Sequence, residues 1–248
     1  MPKFFTAREN ISENKIIINN EDVAHITKVL RLKCGDEITV CDGQGYDYSA
    51  VIDEIEPKEI ICSVKEKIKC ETEPNIEVTL FQGIPKAAKM DYIIQKTTEL
   101  GISRIVPVML DRCVVKLENA KAEAKKQERW QKIANEAAKQ SGRGVVPEIM
   151  MPVNLDTAIK MASELDLCFA PYECEEQKRL KEVLTSKLDI KSVGFIIGPE
   201  GGFDASETNK IKSAGFETVT LGRRILRTET AGEAVLAMVM YEIGDING

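Results

Sequence analysis

The chain has 248 residues, a length for one large or two ordinary domains with a well-buried core. Hydrophobic residues make up 43% and charged residues 30%, a globular composition, and no apolar run approaches the ~20 residues that span a bilayer. With His25 as the only histidine, a Cys/His zinc site is disfavoured, and a Ser-His-Asp triad would have to be built on that one residue. The seven cysteines are odd in number and scattered, with no C-x-x-C pair, which points to reduced thiols and no metal. The opening stretch "MPKFFTAREN" lacks the long apolar segment of a secretory signal, so a cytoplasmic protein without membrane attachment is expected.

A net charge of −6 argues weakly against a nucleic-acid partner, but its distribution is uneven. Residues 82–146 carry thirteen Lys/Arg against seven Asp/Glu, whereas residues 1–73 carry ten against fifteen. A basic middle in an acidic chain fits either a localised anionic partner or an ordinary solvated helix surface.

In chain order, the first third reads as short strands rich in β-branched residues: "KIIIN" (15–19), "DEITVCD" (36–42), "YDYSAVIDEI" (46–55) and "EIICSVKEKI" (59–68). "DGQG" and "EPKE" punctuate them as turns. One helix over 21–35 interrupts, with Asn20 as its cap, Val23, Ile26, Val29 and Leu30 on one face, and Gly35 beyond its end. This pattern predicts a small β-barrel with one helix. The charged, proline-containing "CETEPN" (70–75) marks the boundary, giving domains at 1–72 and 73–248.

Beyond the boundary, strands and helices alternate. Strands are predicted at 76–83, 102–110, 147–150, 165–170, 193–198 and 218–222. Helices are predicted at 86–101, 118–142, 154–164, 175–188, 205–214 and 231–243. Such alternation implies an α/β domain whose mostly parallel sheet is covered on both faces, with ligands beyond the carboxyl ends of its strands. Trp130 reads as a core anchor of the long helix.

Three constellations stand out. "FIIGPEGGFDASE" runs from a buried strand through a glycine loop into a helix capped by Asp204, with Glu207 as its capping-box partner. The loop is neither a P-loop nor G-x-G-x-x-G, and Glu200 would repel phosphate. It suits a neutral or cationic ligand, or a tight connection with no ligand. "LGRRILRTETAGEAVLAMVMYEI" (221–243) places Arg223, Arg224 and Arg227 after a strand, as a cationic cluster at its carboxyl end or as surface charges paired with nearby acids. Thr230 as cap and Glu233 then lead into a helix apolar on every face, buried in the core or against a partner chain. "QSGRGVVP" (140–147) sets Arg143 between glycines; with Lys86, Lys89, Arg104 and Arg112 it fits part of a basic face, or each of these is a separate solvated surface charge.

"HITKVLRLKCGD", "IQKTTELGI", "ERWQKIANEAAKQSGR", "IGPEGGFDASE" and "LGRRILRTETA" occur in this order. Together they resemble the bacterial small-subunit ribosomal RNA methyltransferase E family of the SPOUT superfamily, whose members methylate N3 of a uridine in 16S ribosomal RNA. The resemblance runs from the N-terminal region through the last helix. It implies a PUA-like RNA-binding β-barrel followed by a SPOUT α/β domain with a trefoil knot. It also implies S-adenosylmethionine as cofactor, no metal, a homodimer formed through the C-terminal domain, and small-subunit ribosomal RNA or the 30S particle as partner. A non-enzymatic RNA-binding or ribosome-assembly protein is the competing reading.

Residue by residue, Gly198, Pro199, Glu200, Gly201 and Gly202 match the family's second cofactor loop. Leu221, Gly222, Ile225, Leu226, Arg227 and Thr228 match the third, and the first knot segment falls near 168–173. Arg227 is the expected stabiliser of the uracil anion. Glu200 is a second catalytic candidate, a general base if burial raises its pKa. Expected RNA contacts are Arg8, His25, Arg31, Lys86, Lys89, Arg112 and Arg143. Arg8 follows "FFTA", where the family more usually has an arginine just before the aromatic pair; here Lys3 sits near that place.

Overall fold

A computed structural model describes residues 3–19, 21–114 and 119–246. Asn20, the expected helix cap, lies outside them. Contacts divide the chain into two compact units, Met1–Glu73 with Ala138–Val146, and Pro74–Ala137 with Pro147–Gly248.

The first unit is built on five strands: β1 (Lys3–Phe5), β2 (Lys15–Ile18), β3 (Glu37–Cys41), β4 (Tyr46–Ile55) and β5 (Ile60–Lys69). Their order in the sheet is β1-β3-β4-β5-β2, antiparallel except for the β1–β3 pair. Period-two alternation turns Ile16, Ile18, Ile38, Val40, Tyr48, Ala50, Ile52, Ile60 and Cys62 into one core, and the β-branched runs supply the strand preference. The two edge strands approach each other, since the Thr6 hydroxyl just past β1 donates to the Ile17 carbonyl of β2 at 2.9 Å. Sequence periodicity did not reveal the three-residue β1.

The helix expected over 21–35 is shorter. One α-helical turn, α1 (Asp22–Ala24), passes into a π-helical turn at His25–Val29. The wider turn spends an extra residue and rotates the following side chains off the core face. Val23 and Ile26 are buried, but Val29 is 68% exposed and Leu30 is also exposed. Arg31 ends the segment in the left-handed region at φ +56°.

Residues 138–146, placed by sequence with the second domain, pack with the first unit. Arg143 is only 4% exposed, and its Nη2 donates to Glu73 Oε2 at 2.7 Å. Glu73 Oε1 also accepts from the backbone N–H groups of Gly144 and Val145 at 2.7 and 3.0 Å. A Cβ on Gly144 would lie 2.4 Å from that of Cys70, so only glycine fits there. Arg143 is therefore a buried structural cation and not part of a surface face.

The second unit holds β6 (Glu77–Gly83), α2 (Lys89–Glu99), β7 (Arg104–Met109), α3 (Ala120–Ser141, to Ala137), β8 (Glu148–Ile149), β9 (Val153–Asn154), α4 (Leu155–Ala162), β10 (Leu167–Pro171), α5 (Leu180–Leu184), β11 (Ser192–Ile197), α6 (Ala205–Ser213), β12 (Glu217–Val219) and α7 (Thr228–Ile243). Every strand pair is parallel, in the order β12-β10-β11-β6-β7-β8, with β9 also on β7. β6 and β11 are buried nearly throughout, as central parallel strands covered on both faces must be. The connection after β6 runs to β7 on one side, and the connection after β11 runs past β10 to β12 on the other. The carboxyl ends of these two neighbours are thus the switch point at which open α/β sheets bind ligands.

α7 begins at Thr228, one residue after Arg227, and not after Thr230 as expected. It buries Ala231, Gly232, Val235, Leu236, Val239 and Met240 but leaves Met238 and Tyr241 exposed. The helix expected at 175–188 shrinks to the five residues of α5, and β9 is an addition. Among the described residues, no helix is long and apolar enough to cross a membrane.

Removing one partner of a buried ion pair strands the other charge. Glu73→Ala should therefore destabilise the protein by about 3 kcal/mol, read as a lowered midpoint in denaturant unfolding followed by circular dichroism.

Candidate functional site

The loops that follow β6 and β11 meet at the switch point. A Cβ on Gly83, the last residue of β6, would lie 2.7 Å from both the backbone N and Cδ of Pro199. The absence of a side chain there lets the second loop lie against the strand end. Within that loop the Gly202 N–H donates to the Pro199 carbonyl at 2.9 Å, and Gly202 itself has φ +68°. This is a tight turn that places Glu200 and Gly201 at its tip. Gly198 faces the Gly202 backbone so closely that an added Cβ would sit 3.1 Å from it.

Three ties hold the turn. First, the Thr228 hydroxyl, at the start of α7, donates to the Gly198 carbonyl at 2.7 Å and accepts from Gln82 Nε2 at 2.9 Å. Both side chains are buried, Gln82 completely. Second, Arg112 Nη1 donates to the Gly201 carbonyl at 2.8 Å, and its other nitrogen lies 3.6 Å from Asp204. Third, Glu200 accepts from the Lys86 backbone N–H at 3.1 Å and pairs with Lys89 at 3.1 Å. Lys89 in turn lies 3.2 Å from Glu229 in the first turn of α7, so one ammonium bridges the second loop and the last helix.

The helix after the loop is capped as the sequence predicts. Asp204 accepts from Ser206 N–H while Glu207 accepts from Asp204 N–H, a complete capping box. The other oxygen of Glu207 accepts from Asp111 N–H at 2.8 Å, which fastens the loop after β7 to the same helix start.

The electrostatics assign Glu200 a definite state. Burial pushes its carboxyl up, but hydrogen bonds from its own and the Lys86 backbone N–H, together with the Lys89 ammonium, outweigh this and hold it below the ordinary value. Lys89 is correspondingly raised, chiefly by Glu200. A base role needed a raised pKa; the geometry instead keeps Glu200 ionised and anchored. Two carboxylates share one ammonium, leaving an excess negative charge beside the loop.

The other expected residues fall into groups. Leu221 and Leu226 are half-buried, and Gly222 takes φ +99°. Arg223, Arg224, Ile225 and Arg227 are exposed, and Arg227 precedes α7 without capping it through its side chain. Glu173, at the expected first knot segment, approaches Gly202: a Cβ there would lie 2.9 Å from its Oε1. In the first unit, Arg8, His25 and Arg31 are exposed, with Arg8 donating to the Ile11 carbonyl and His25 set edge-on to Phe4 at 6.1 Å. Lys86 is exposed, whereas Lys89 and Arg112 hold the loop and Arg143 is buried. Sequence reasoning missed Gln82 and Glu229. A lone amide closing the apolar strand "VTLFQG" was the available signal for the first. No group of three or more His, Cys, Asp or Glu able to hold a metal occurs among the described residues.

Residues 72–240 match the family model described as an RNA methyltransferase domain, and residues 18–65 match an RNA methyltransferase PUA domain. The chain is 35% identical to ribosomal RNA small subunit methyltransferase E of Bacillus subtilis, over 93% of this chain and 91% of the relative. Among solved structures it is similar to a ribosomal RNA small subunit methyltransferase E of Neisseria gonorrhoeae bound to S-adenosylmethionine, with 32% identity, 99% of both chains covered and TM-score 0.86. It is also similar to a methyltransferase of Legionella pneumophila in complex with the same cofactor, with 29% identity, 99% of both chains covered and TM-score 0.88.

Thr228→Val keeps the shape but deprives Gln82 and Gly198 of a buried partner. A loss of about 2 kcal/mol is expected in unfolding followed by Trp130 fluorescence, with Thr228→Ser close to wild type. Because the Glu200 pKa is lowered, its anchoring is complete above the ordinary value of 4.5 and is lost as pH falls through the lowered one. The Lys86 amide resonance should therefore titrate below pH 4.5 in the wild type and stay flat in Glu200→Gln.

Proposed function

This chain belongs to the family of the ribosomal RNA small subunit methyltransferases E, and from that we propose that it transfers a methyl group from S-adenosylmethionine to N3 of a uridine in 16S ribosomal RNA. The observation that carries the reading is the glycine turn at the switch point, tied to β6 and α7 and followed across the site by an exposed arginine, Arg227.

The site fits the cofactor. Gly83 and Gly198 let the turn close against the strand end and on itself, which sets its backbone groups in a fixed cradle, and Gly222 opens onto free space. The backbones of Gly198, Pro199, Gly201, Gly202, Leu221, Gly222, Ile225 and Leu226 would hold the adenosine part. The excess negative charge of Glu200 and Glu229 over Lys89 favours a cationic ligand. When bound, S-adenosylmethionine supplies an electrophilic methyl group on a positively charged sulfonium.

The chain's own residues then position uridine N3 and stabilise the charge that its deprotonation spreads over the uracil oxygens. Arg227 does the second. Glu200, held ionised and ion-paired, is a weak base, and we assign it to anchoring the loop. Thr228 acts through the same turn, because both roles of its hydroxyl are already filled by protein. Since N3 is inaccessible in a paired base, the target is taken either from a single strand or by extrusion from a stack.

In this reading the first unit closes as a PUA-like barrel and contributes Arg8, His25 and Arg31 to RNA contact; in the second unit, Lys86 is assigned to RNA contact. The second unit is a SPOUT domain with a trefoil knot. Two copies pair through the apolar side of α7 that leaves Met238 and Tyr241 exposed. The enzyme works in the cytoplasm on ribosomal RNA or the small-subunit particle.

Arg227→Ala should lower kcat by about 10²–10³-fold, the cost of removing one charge-stabilising donor. Its affinity for S-adenosylmethionine by calorimetry should stay within about threefold. Mass mapping of nucleosides in 16S ribosomal RNA from a strain lacking the gene should show one uridine without its N3 methyl. A fully methylated site, or wild-type turnover by Arg227→Ala, would refute the respective assignment.

A further inference from the structure

The segment 221–227 leaves β12 and returns to α7 as an extended loop fixed at both ends. At one end Val219 pairs with Pro171 of β10; at the other Thr228 is buried in its tie to Gly198. Between them the chain is turned outward at Gly222, whose N–H is held by Thr220 Oγ1 at 3.2 Å and whose φ of +99° suits glycine. The tip carries Arg223, Arg224 and Ile225. Both arginines are exposed, and neither pairs with a carboxylate among the described residues. Ile225 is 88% exposed.

That exposure separates two functions of one residue. A side chain lining a cofactor cleft is shielded by the opposite wall, whereas one so exposed stands on a convex tip. Cofactor contact from Ile225 therefore comes through its backbone, and the side chain faces outward. Two neighbouring unpaired guanidiniums at one exposed tip make a local cationic patch in a chain of net charge −6.

The chemistry fits one occupant. Arginine forks match phosphate oxygens bidentately, and an apolar side chain among them can fill the gap in a stack left when a base is drawn out. We propose that Arg223 and Arg224 grip the RNA backbone beside the target nucleotide and that Ile225 is the wedge holding the extruded conformation. The proposal deepens the methyltransferase reading and rests on it. In these roles all three are positioning residues: they act on the RNA around the base, while Arg227 acts on the base itself.

The test uses the full-length protein and 16S ribosomal RNA transcribed in vitro, titrated by fluorescence anisotropy over a range of salt. Arg223→Ala/Arg224→Ala should bind this RNA at least tenfold more weakly. The slope of log affinity against log salt should shrink by about 1.4, as for two lost phosphate contacts on a single strand. Its affinity for S-adenosylmethionine by calorimetry should be unchanged. Ile225→Ala should keep RNA affinity within about threefold but lose about tenfold in kcat, and Ile225→Leu should restore it. Unchanged affinity and salt slope in the double arginine variant would overturn the proposal, as would wild-type kcat in Ile225→Ala. A change in oligomeric mass in either variant would overturn it in favour of a contact between copies. A wild type whose RNA binding depends on these arginines but that takes up no S-adenosylmethionine would sustain the surface and overturn the methyltransferase reading.

Discussion

One buried hydroxyl holds the site together. Thr228 donates to Gly198 and accepts from Gln82, so a single oxygen joins the end of β6, the turn after β11 and the first residue of α7. These segments are far apart in sequence, and each has a backbone that would otherwise fray where its strand or helix ends. Gln82 uses its amide nitrogen on Thr228 and on its own neighbour Gly83, and leaves Oε1 buried without a hydrogen-bond partner among the described residues. An unmet buried carbonyl is costly. Stability alone would favour an apolar residue at that position; the clamp explains the amide.

Around this neutral clamp lies a charged one. Lys89 sits between Glu200 and Glu229 and repeats the connection between the second loop and α7 with an ion pair in place of a hydroxyl. Arg112 adds a grip on the Gly201 carbonyl. These partly exposed pairs are individually weak, of order 1 kcal/mol or less. Their contribution is to geometry: a glycine turn free to flex would hold no ligand in register. The acid in the turn is thus chiefly a handle by which the turn is held.

The same ties redistribute the basic charge of the middle segment. Arg143 is consumed by Glu73, Lys89 by two carboxylates and Arg112 by the loop. Counting cations along the sequence left open a basic face or an ordinary solvated surface, but several of these cations are engaged by protein partners. What stays outward in the second unit includes Lys86 and the arginines of the loop before α7. Exposure and pairing decide which cations meet an anionic partner, and neither is a local property of the chain.

By itself the sequence determined the strand–helix alternation, the capping box at Asp204 and Glu207, the glycine turn after a buried strand and, through its motifs, the family. These are legible because they depend on near neighbours: period-two and period-3.6 burial, a cap three residues from its partner, glycine where φ must be positive. Tertiary structure decided the rest. It chose Gln82 and Glu229 as members of the site, returned residues 138–146 to the first unit, buried Arg143, ended α1 in a π turn and set the state of Glu200. Each of these turns on a contact between residues tens to more than a hundred positions apart or on a packing face, and no window of sequence contains both partners.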